Sequence, residues 1–410
     1  MHTLKRPHYA WLVCLGGTLS LSTVMGLGSN VFTLYQPEIL AFHQFTNTQG
    51  SWITTTRSLF ILLALLMVNQ LCSRLSLRVV MTLGNLSTGL SCFCFALSRT
   101  FPMYLFSAAL SGLGYCLGGM VPLSLLISGW FRERRGLALG IASAGSGIST
   151  ILAPPVITKA IRTQGLHVAF AWEGGFILIC TLLIWLLVRS RPEDISLEPY
   201  GSTRSDDVPH TTAAAKRGTD DPRAQKLLLL AGVLLGGPLG PCFSHLTVYY
   251  TSEGFDSGFV ALLISMMGVA ICVGKVLCGQ IYDRMGVRAG NHFTFGTYLA
   301  GLVLCCLAPT QSVIIAVGAF FLFSLGLSIC GVPPAVWAQD LASEKNYPKL
   351  VRSFTVAYTV GMLIFGPVPG VLADLMGGSY LPAYLLFTAF LLIAYLIVLG
   401  IYSRLKPGRA

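Results

Sequence analysis

Charge is scarce in this chain. Of 410 residues, 10% are Asp, Glu, Lys or Arg, 54% are hydrophobic, and the mean hydropathy is +0.71. A soluble domain carries about a quarter charged residues, so a water-facing surface over most of the chain is excluded. Apolar runs of roughly 20 residues recur instead, each long enough to cross a ~30 Å hydrocarbon core. They place spans near 11–35, 49–71, 79–98, 102–128, 136–161, 168–188, 226–250, 257–282, 291–309, 313–338, 353–374 and 381–402. The expectation is an all-α, multi-pass membrane protein with twelve transmembrane helices.

Metal-ligand spacing is also missing. The 12 cysteines are scattered, and most lie inside spans (Cys14, Cys92, Cys180 and Cys305 among them), where they read as small packing residues. No metal site and no cofactor is expected. There is no nucleophile–base pair and no phosphate-binding loop, so an enzyme is not expected either. The first span is too long for a signal-peptide core and has no small-residue cleavage site, so it is expected to remain.

The formal net charge of +11 raises the question of nucleic acid. Its distribution answers it. With both termini cytoplasmic, only Arg99, Lys159 and Arg162 fall on the outer side, and Arg57 and Lys275 lie inside spans. The remaining Lys and Arg, including Lys5 and Arg6, are cytoplasmic, as the positive-inside rule describes, and no phosphate-binding surface is needed.

The chain is organised around Gly279–Gly290, GQIYDRMGVRAG, preceded one helical turn earlier by Lys275. Gly279 would allow close helix approach and Gly286 a tight reversal, while Asp283 could satisfy the N–H groups at a helix start, with Arg284 and Arg288 cytoplasmic. A shift of 210 residues lays Asn69–Arg78 on Gly279–Arg288. Arg74 and Arg78 keep their type; Asn69, Ser73 and Ser76 replace Gly279, Asp283 and Gly286. This stretch resembles the loop between the second and third helices of each half of a major facilitator superfamily transporter, roughly G-x-L-x-D-R-x-G-R-R. The resemblance implies two pseudo-symmetric six-helix bundles, here 1–188 and 226–410, with a site at their interface opened alternately to each side. The stretch 189–225 is rich in Ser, Thr, Pro and both charge signs, and reads as a mostly disordered cytoplasmic linker.

Spans four, five and seven are rich in Gly and Pro, with Gly232, Gly236 and Gly240 at four-residue intervals. That spacing suits backbone-to-backbone helix contact, and proline bends a helix. Gly129–Gly147 (GWFRERRGLALGIASAGSG) and His245–Gly254 (HLTVYYTSEG) resemble the fifth and seventh helices of monocarboxylate-transporter-like facilitators, which include the oxalate–formate antiporters. That resemblance implies transport of small carboxylates by proton symport or anion exchange. The chain departs from it in two places. Ile271 stands where proton-coupled animal members carry an aspartate, and the interior of 352–374 lacks the lysine of oxalate exchangers.

Lys275 is the first candidate for binding the anion. A charge inside a span costs of order 2.5–3.5 kcal/mol, so it should face a cavity or a counter-ion; a structural ion pair or a snorkelling lysine are the alternatives. Gly268, Cys272 and Gly279 share its helical face. Arg57, with Thr54 and Ser58 beside it, suits substrate attraction or an outer-gate hydrogen bond. Tyr35, Tyr115 and Tyr250 stand on spans one, four and seven, which line the cavity in this superfamily; interfacial belting is the alternative for Tyr35 and Tyr250. His245 and Glu173 are the candidates to carry a proton.

The sequence therefore reads as a cell-membrane transporter of a small organic anion, with the lipid bilayer as its surroundings and no obligatory protein partner evident. The alternatives are a facilitator for a sugar or drug, and a membrane receptor or scaffold.

Overall fold

A computed structural model describes residues 8–201, 220–343 and 345–404; Lys5 and Arg6 lie outside them. Helix dominates, and among the described residues no strand forms beyond one isolated bridge, Phe131 with Tyr200. Eleven helical rods are long and apolar enough to cross a membrane: α1 Ala10–His43, α2 Asn47–Arg74, α3 Leu77–Leu97, α4 Phe101–Trp130, α5 Arg135–Gln164, α6 Leu166–Leu187, α7 Pro222–Ser252, α8 Ser257–Cys305, α9 Val313–Leu341, α10 Lys349–Leu375 and α11 Leu381–Arg404. Rod α8 holds two crossings, because Gly286 breaks it with φ 83° and ψ 176°. The expected twelve spans are all present.

That break shows one task done by two chemistries. A Cβ on Gly286 would meet nothing within 4 Å, so glycine is needed there for its positive φ and not for space. At the repeat position Ser76 has ordinary extended backbone (φ −65°), and its hydroxyl accepts from the N–H of Val79 at 3.4 Å, capping α3. The first half therefore turns with a cap where the second turns with a glycine. Beyond the turn the repeat is geometric. Arg78 Nε donates to the carbonyl of Trp185 at 2.8 Å, near the end of α6, and its guanidinium lies 3.8 Å over the indole. Arg288 donates to the carbonyl of Tyr402 at 3.2 Å, near the end of α11. Each arginine thus secures the carbonyl end of the last helix of its half.

Two compact units emerge: Met1–Phe32 with Leu59–Pro209, and Thr33–Ser58 with His210–Ala410. This division differs from 1–188 and 226–410 in two respects. The segment 33–58 groups with the second unit, through contacts of α2 with α7 and α10 described below. Residues 189–201 are not a disordered linker but fold onto the first unit. Tyr200 donates its N–H to the carbonyl of Trp130 at 2.9 Å and accepts from Arg132 at 3.0 Å, with its ring 5.7 Å from Phe131. At the other end of the same stretch, Pro222 already begins α7; residues 202–219 lie outside the described set.

The core of the first unit gathers Trp130, Phe131, Leu123, Leu126 and Ile184 around Cys14 and Leu21. In the second unit Tyr249 and Tyr384 stack with ring centres 4.4 Å apart. The small-residue seam expected in α7 is realised most tightly at Gly236, where a Cβ would lie 2.4–2.6 Å from the backbone of Gly361 and Met362 on α10.

Candidate functional site

Helical hydrogen bonding is interrupted midway along α1, α4, α7 and α9. Residues Ser22–Asn30 of α1 and Pro238–Cys242 of α7 widen into π-helical turns. Gly118 and Gly119 divide α4, and Leu327–Cys330 of α9 tightens to 3-10 geometry before Gly331. These are the first, fourth, seventh and tenth crossings, at corresponding places in the two halves. Interrupted helices of this kind expose backbone groups that must find other partners.

In α7 three side chains are those partners. Pro238 and Pro241 supply no N–H, and the widened turn frees carbonyls. Tyr298 donates to the carbonyl of Pro238 at 2.6 Å, Tyr384 to that of Cys242 at 2.8 Å, and His245 Nδ1 to that of Pro241 at 2.9 Å. The fully buried His245 ring therefore carries its proton on Nδ1. Its Nε2 accepts from the hydroxyl of Ser51 on α2 at 2.7 Å. Of the two ring nitrogens, only Nε2 is placed to gain a proton, and the Ser51 hydroxyl stands against it.

Ser51 belongs to a ladder between α2 and α10. A Cβ on Gly366 would meet Thr55 Oγ1 at 2.3 Å, and one on Gly370 would meet Ser51 and the carbonyl of Asn47. One turn further, Asp374 caps α2: its carboxylate accepts the N–H groups of Asn47 at 3.0 Å and Thr48 at 2.8 Å, while the Asn47 amide donates to it at 2.9 Å. Tyr380 adds a hydrogen bond to Asn47 Oδ1 at 2.9 Å. Positions 366, 370 and 374 face Thr55, Ser51 and Asn47, four residues apart on each helix. Arg57 is buried on α2 in the same unit, and Thr54 and Ser58 return their hydroxyls to backbone carbonyls of their own helix.

Lys275 is exposed on α8, and it makes no ion pair among the described residues. Its direction follows from helix geometry. Met267, Ala270, Gly274 and Cys278 are buried, with Gly274 against the backbone of Leu325 on α9. Leu262, Val269, Val273 and Val276 form an exposed apolar stripe, the face suited to lipid. At about 100° per residue, Lys275 sits about 130° from the centre of that stripe, on the side of Gly268, Cys272 and Gly279. The Gly274–Leu325 contact, one residue before Lys275, lies two residues ahead of the interruption of α9. The lysine thus rises from a side of small residues beside a broken helix. Gly279, expected to admit a close neighbour, has nothing within 4 Å of where a Cβ would stand, so that role is not realised here.

The remaining candidates disperse. Tyr115 is half-buried just before the Gly118–Gly119 interruption. Tyr35 and Tyr250 are fully buried, so neither belts an interface. The Tyr250 ring packs edge-on against Phe320 at 4.8 Å and lies 5.3 Å from Phe255. Phe255 lies just before the start of α8 at Ser257, and Lys275 is 18 residues further along that helix, about 27 Å, which separates Tyr250 from Lys275. Glu173 is buried on α6 in the first unit. Asp283 and Arg284 are exposed, as is Arg74. Ser51, Asn47 and Asp374 escaped the sequence reading; the signal for them was the i, i+4 match of Gly366, Gly370 and Asp374 with Thr55, Ser51 and Asn47.

Comparison with known proteins agrees with this architecture. The Major Facilitator Superfamily profile matches residues 18–352. Monocarboxylate transporter 12 of Rattus norvegicus is 24% identical over 434 residues, covering 97% of this chain and 87% of that one. Monocarboxylate transporter 6 of Homo sapiens is 25% identical over 417 residues, covering 96% and 80%. Among solved structures, the nucleoside transporter NupG superposes with a TM-score of 0.72 at 10% identity, over 97% of this chain and 100% of that one, a likeness of fold alone.

Proposed function

Because this chain belongs to the Major Facilitator Superfamily, and is a multi-pass membrane transporter and not an enzyme, we propose that it carries a small organic anion, in the first instance a monocarboxylate, by alternating access. The observation that carries this reading is Lys275: a cation inside a span, without an ion pair among the described residues, on the small-residue side of α8 and one residue from the contact of Gly274 with α9. A carboxylate and a lone ammonium are each costly to hold away from water, and each offsets the other's cost when they meet. The monocarboxylate transporters it resembles along nearly its whole length support the same substrate class.

In this reading Arg57 attracts or helps hold the anion, and Tyr35 and Tyr115 stand on cavity-lining spans. Tyr250 is retained only as support for α7. The loop Gly279–Arg288, with Arg74 and Arg78, serves as the conformational latch, with Asp283 as its carboxylate. Coupling runs by proton symport through His245 or Glu173, or by anion exchange; in the symport reading His245 comes first, with Nε2 as the nitrogen that takes the proton. The protein resides in a cell membrane with both termini cytoplasmic, which makes the Asn47–Asp374 end the outer one.

Uptake of radiolabelled lactate, acetate and pyruvate into proteoliposomes containing the purified protein tests the proposal. Saturable uptake that a second monocarboxylate competes away is expected. Saturable uptake of glucose or uridine with none of carboxylates would overturn it, as would binding of a carboxylate with no uptake at all.

A further inference from the structure

Where α7 begins and α11 ends, the two helices run side by side and a cavity of about 220 Å³ opens in their seam. Its floor is apolar, formed by Leu227, Ile397 and Ile401, and its rim carries Arg223, Arg404 and Asp221. A more open groove of about 550 Å³ shares Asp221, Arg223 and Leu227 with it and extends to Lys226 and Leu230. Gly400 makes the notch: it lines the cavity, and a Cβ there would meet nothing within 4 Å. The glycine is thus required neither for close packing nor for a positive φ, and what its missing side chain leaves is the space itself.

The rim is electrostatically lopsided. Arg223, Lys226 and Arg404 are exposed, and no ion pair among the described residues engages them. The one carboxylate, Asp221, accepts the N–H of Arg223 at 2.9 Å and caps the start of α7. Three cations against one anion leave a positive rim above an apolar floor. Both helices cross the membrane, so this seam lies where the chain passes between hydrocarbon and water. A soluble anion would use the rim and leave the floor wet; a lipid would use both.

We propose that the α7–α11 seam is a binding site for an anionic membrane phospholipid. Its phosphodiester lies among Arg223, Lys226 and Arg404, and an acyl chain follows Leu230 and Ile397 down the helices. A general excess of cytoplasmic positive charge would attract anionic lipid without any pocket, so the decisive variant alters shape and leaves charge alone.

The full chain, delipidated in detergent, is titrated with phosphatidylglycerol, phosphatidylcholine or inorganic phosphate, and bound lipid is counted by native mass spectrometry. One phosphatidylglycerol is expected to bind in preference to phosphatidylcholine, with inorganic phosphate failing to displace it. Arg223→Gln with Arg404→Gln should weaken that binding about thirtyfold, at about 1 kcal/mol for each cation near the surface. Gly400→Leu, which fills the notch without touching charge, should weaken it comparably, and Gly400→Ala should largely preserve it and report that the helix tolerates substitution. Undiminished phosphatidylglycerol binding in Gly400→Leu would overturn the proposal in favour of diffuse attraction. Equal retention of phosphatidylcholine, or displacement by inorganic phosphate, would overturn it as well.

Discussion

Asp374 holds Asn47 twice, through the backbone N–H at 3.0 Å and the side-chain amide at 2.9 Å. A carboxylate at a helix start gains from both the hydrogen bonds and the positive end of the helix dipole. The α2 start is therefore pinned to the end of α10 by charge as well as by shape. Asp374→Asn keeps an acceptor and loses the charge, at roughly 1 kcal/mol. Amide hydrogen exchange of the peptide containing Asn47 and Thr48 should accelerate about fivefold. Exchange at the unaltered rate would show that the cap does not hold this end closed.

Three glycines should respond to alanine in three different ways. Gly286→Ala forces a Cβ into positive φ and should cost about 1–2 kcal/mol. Gly236→Ala places a Cβ within 2.4 Å of the α10 backbone and should lower the melting temperature most. Gly279→Ala meets nothing and should be neutral or stabilising, by up to about 1 kcal/mol of helix propensity. Thermal melts of the three variants check the order. A melt for Gly279→Ala as low as that for Gly236→Ala would mean that Gly279 is a contact residue after all.

These differences mark what the sequence could show. The spans were legible because apolar runs of membrane length are a one-dimensional signal, and the turn at Gly286 because glycine beside Asp283 and Arg284 punctuates such a run. The repeat was legible in Arg74 and Arg78, and the structure added what Arg78 and Arg288 hold: the carbonyls of Trp185 and Tyr402, more than 100 residues away in each case. Lys275 was visible as a cation in an apolar run, but its separation from the lipid-facing stripe needed the exposure of its neighbours. The Ser51–His245 bond and the Asp374 cap join residues 194 and 327 apart, and no local pattern encodes such a pairing. The docking of Tyr200 was hidden by its surroundings, since Ser- and Pro-rich composition reads as linker whatever one aromatic within it does.

The latch proposed at Asp283 gives an asymmetric expectation, because its repeat position is Ser73. Its carboxylate is exposed here, so Asp283→Asn should change the stability of this state little, by less than about 0.5 kcal/mol. If Asp283 caps a helix start when the protein opens outward, the same substitution should shift the population toward the inward-open form. Cysteine-accessibility labelling from both sides of the membrane, in a background without other reactive cysteines, reads that shift. Labelling identical to wild type on both sides would remove Asp283 from the latch.

Proton coupling through His245 predicts a separation of functions. His245→Gln should abolish pH-driven accumulation while leaving exchange of one carboxylate for another, because exchange needs no net proton carrier. The partner variant Ser51→Ala removes the hydroxyl at Nε2 and should alter the pH dependence without removing it. Should His245→Gln and Glu173→Gln both keep full pH-driven accumulation, neither side chain is required for coupling.

Lys275 is proposed as the counter-charge of the substrate. Lys275→Met keeps most of the stem and removes the ammonium, Lys275→Arg keeps the charge in another shape, and Arg57→Met removes the other intramembrane cation. Ligand-induced thermal shift and carboxylate uptake are measured for all three at matched expression. A folded, membrane-inserted Lys275→Met protein should bind no carboxylate, Lys275→Arg should keep partial transport, and Arg57→Met should transport more weakly. Carboxylate binding by Lys275→Met at wild-type affinity would contradict this assignment.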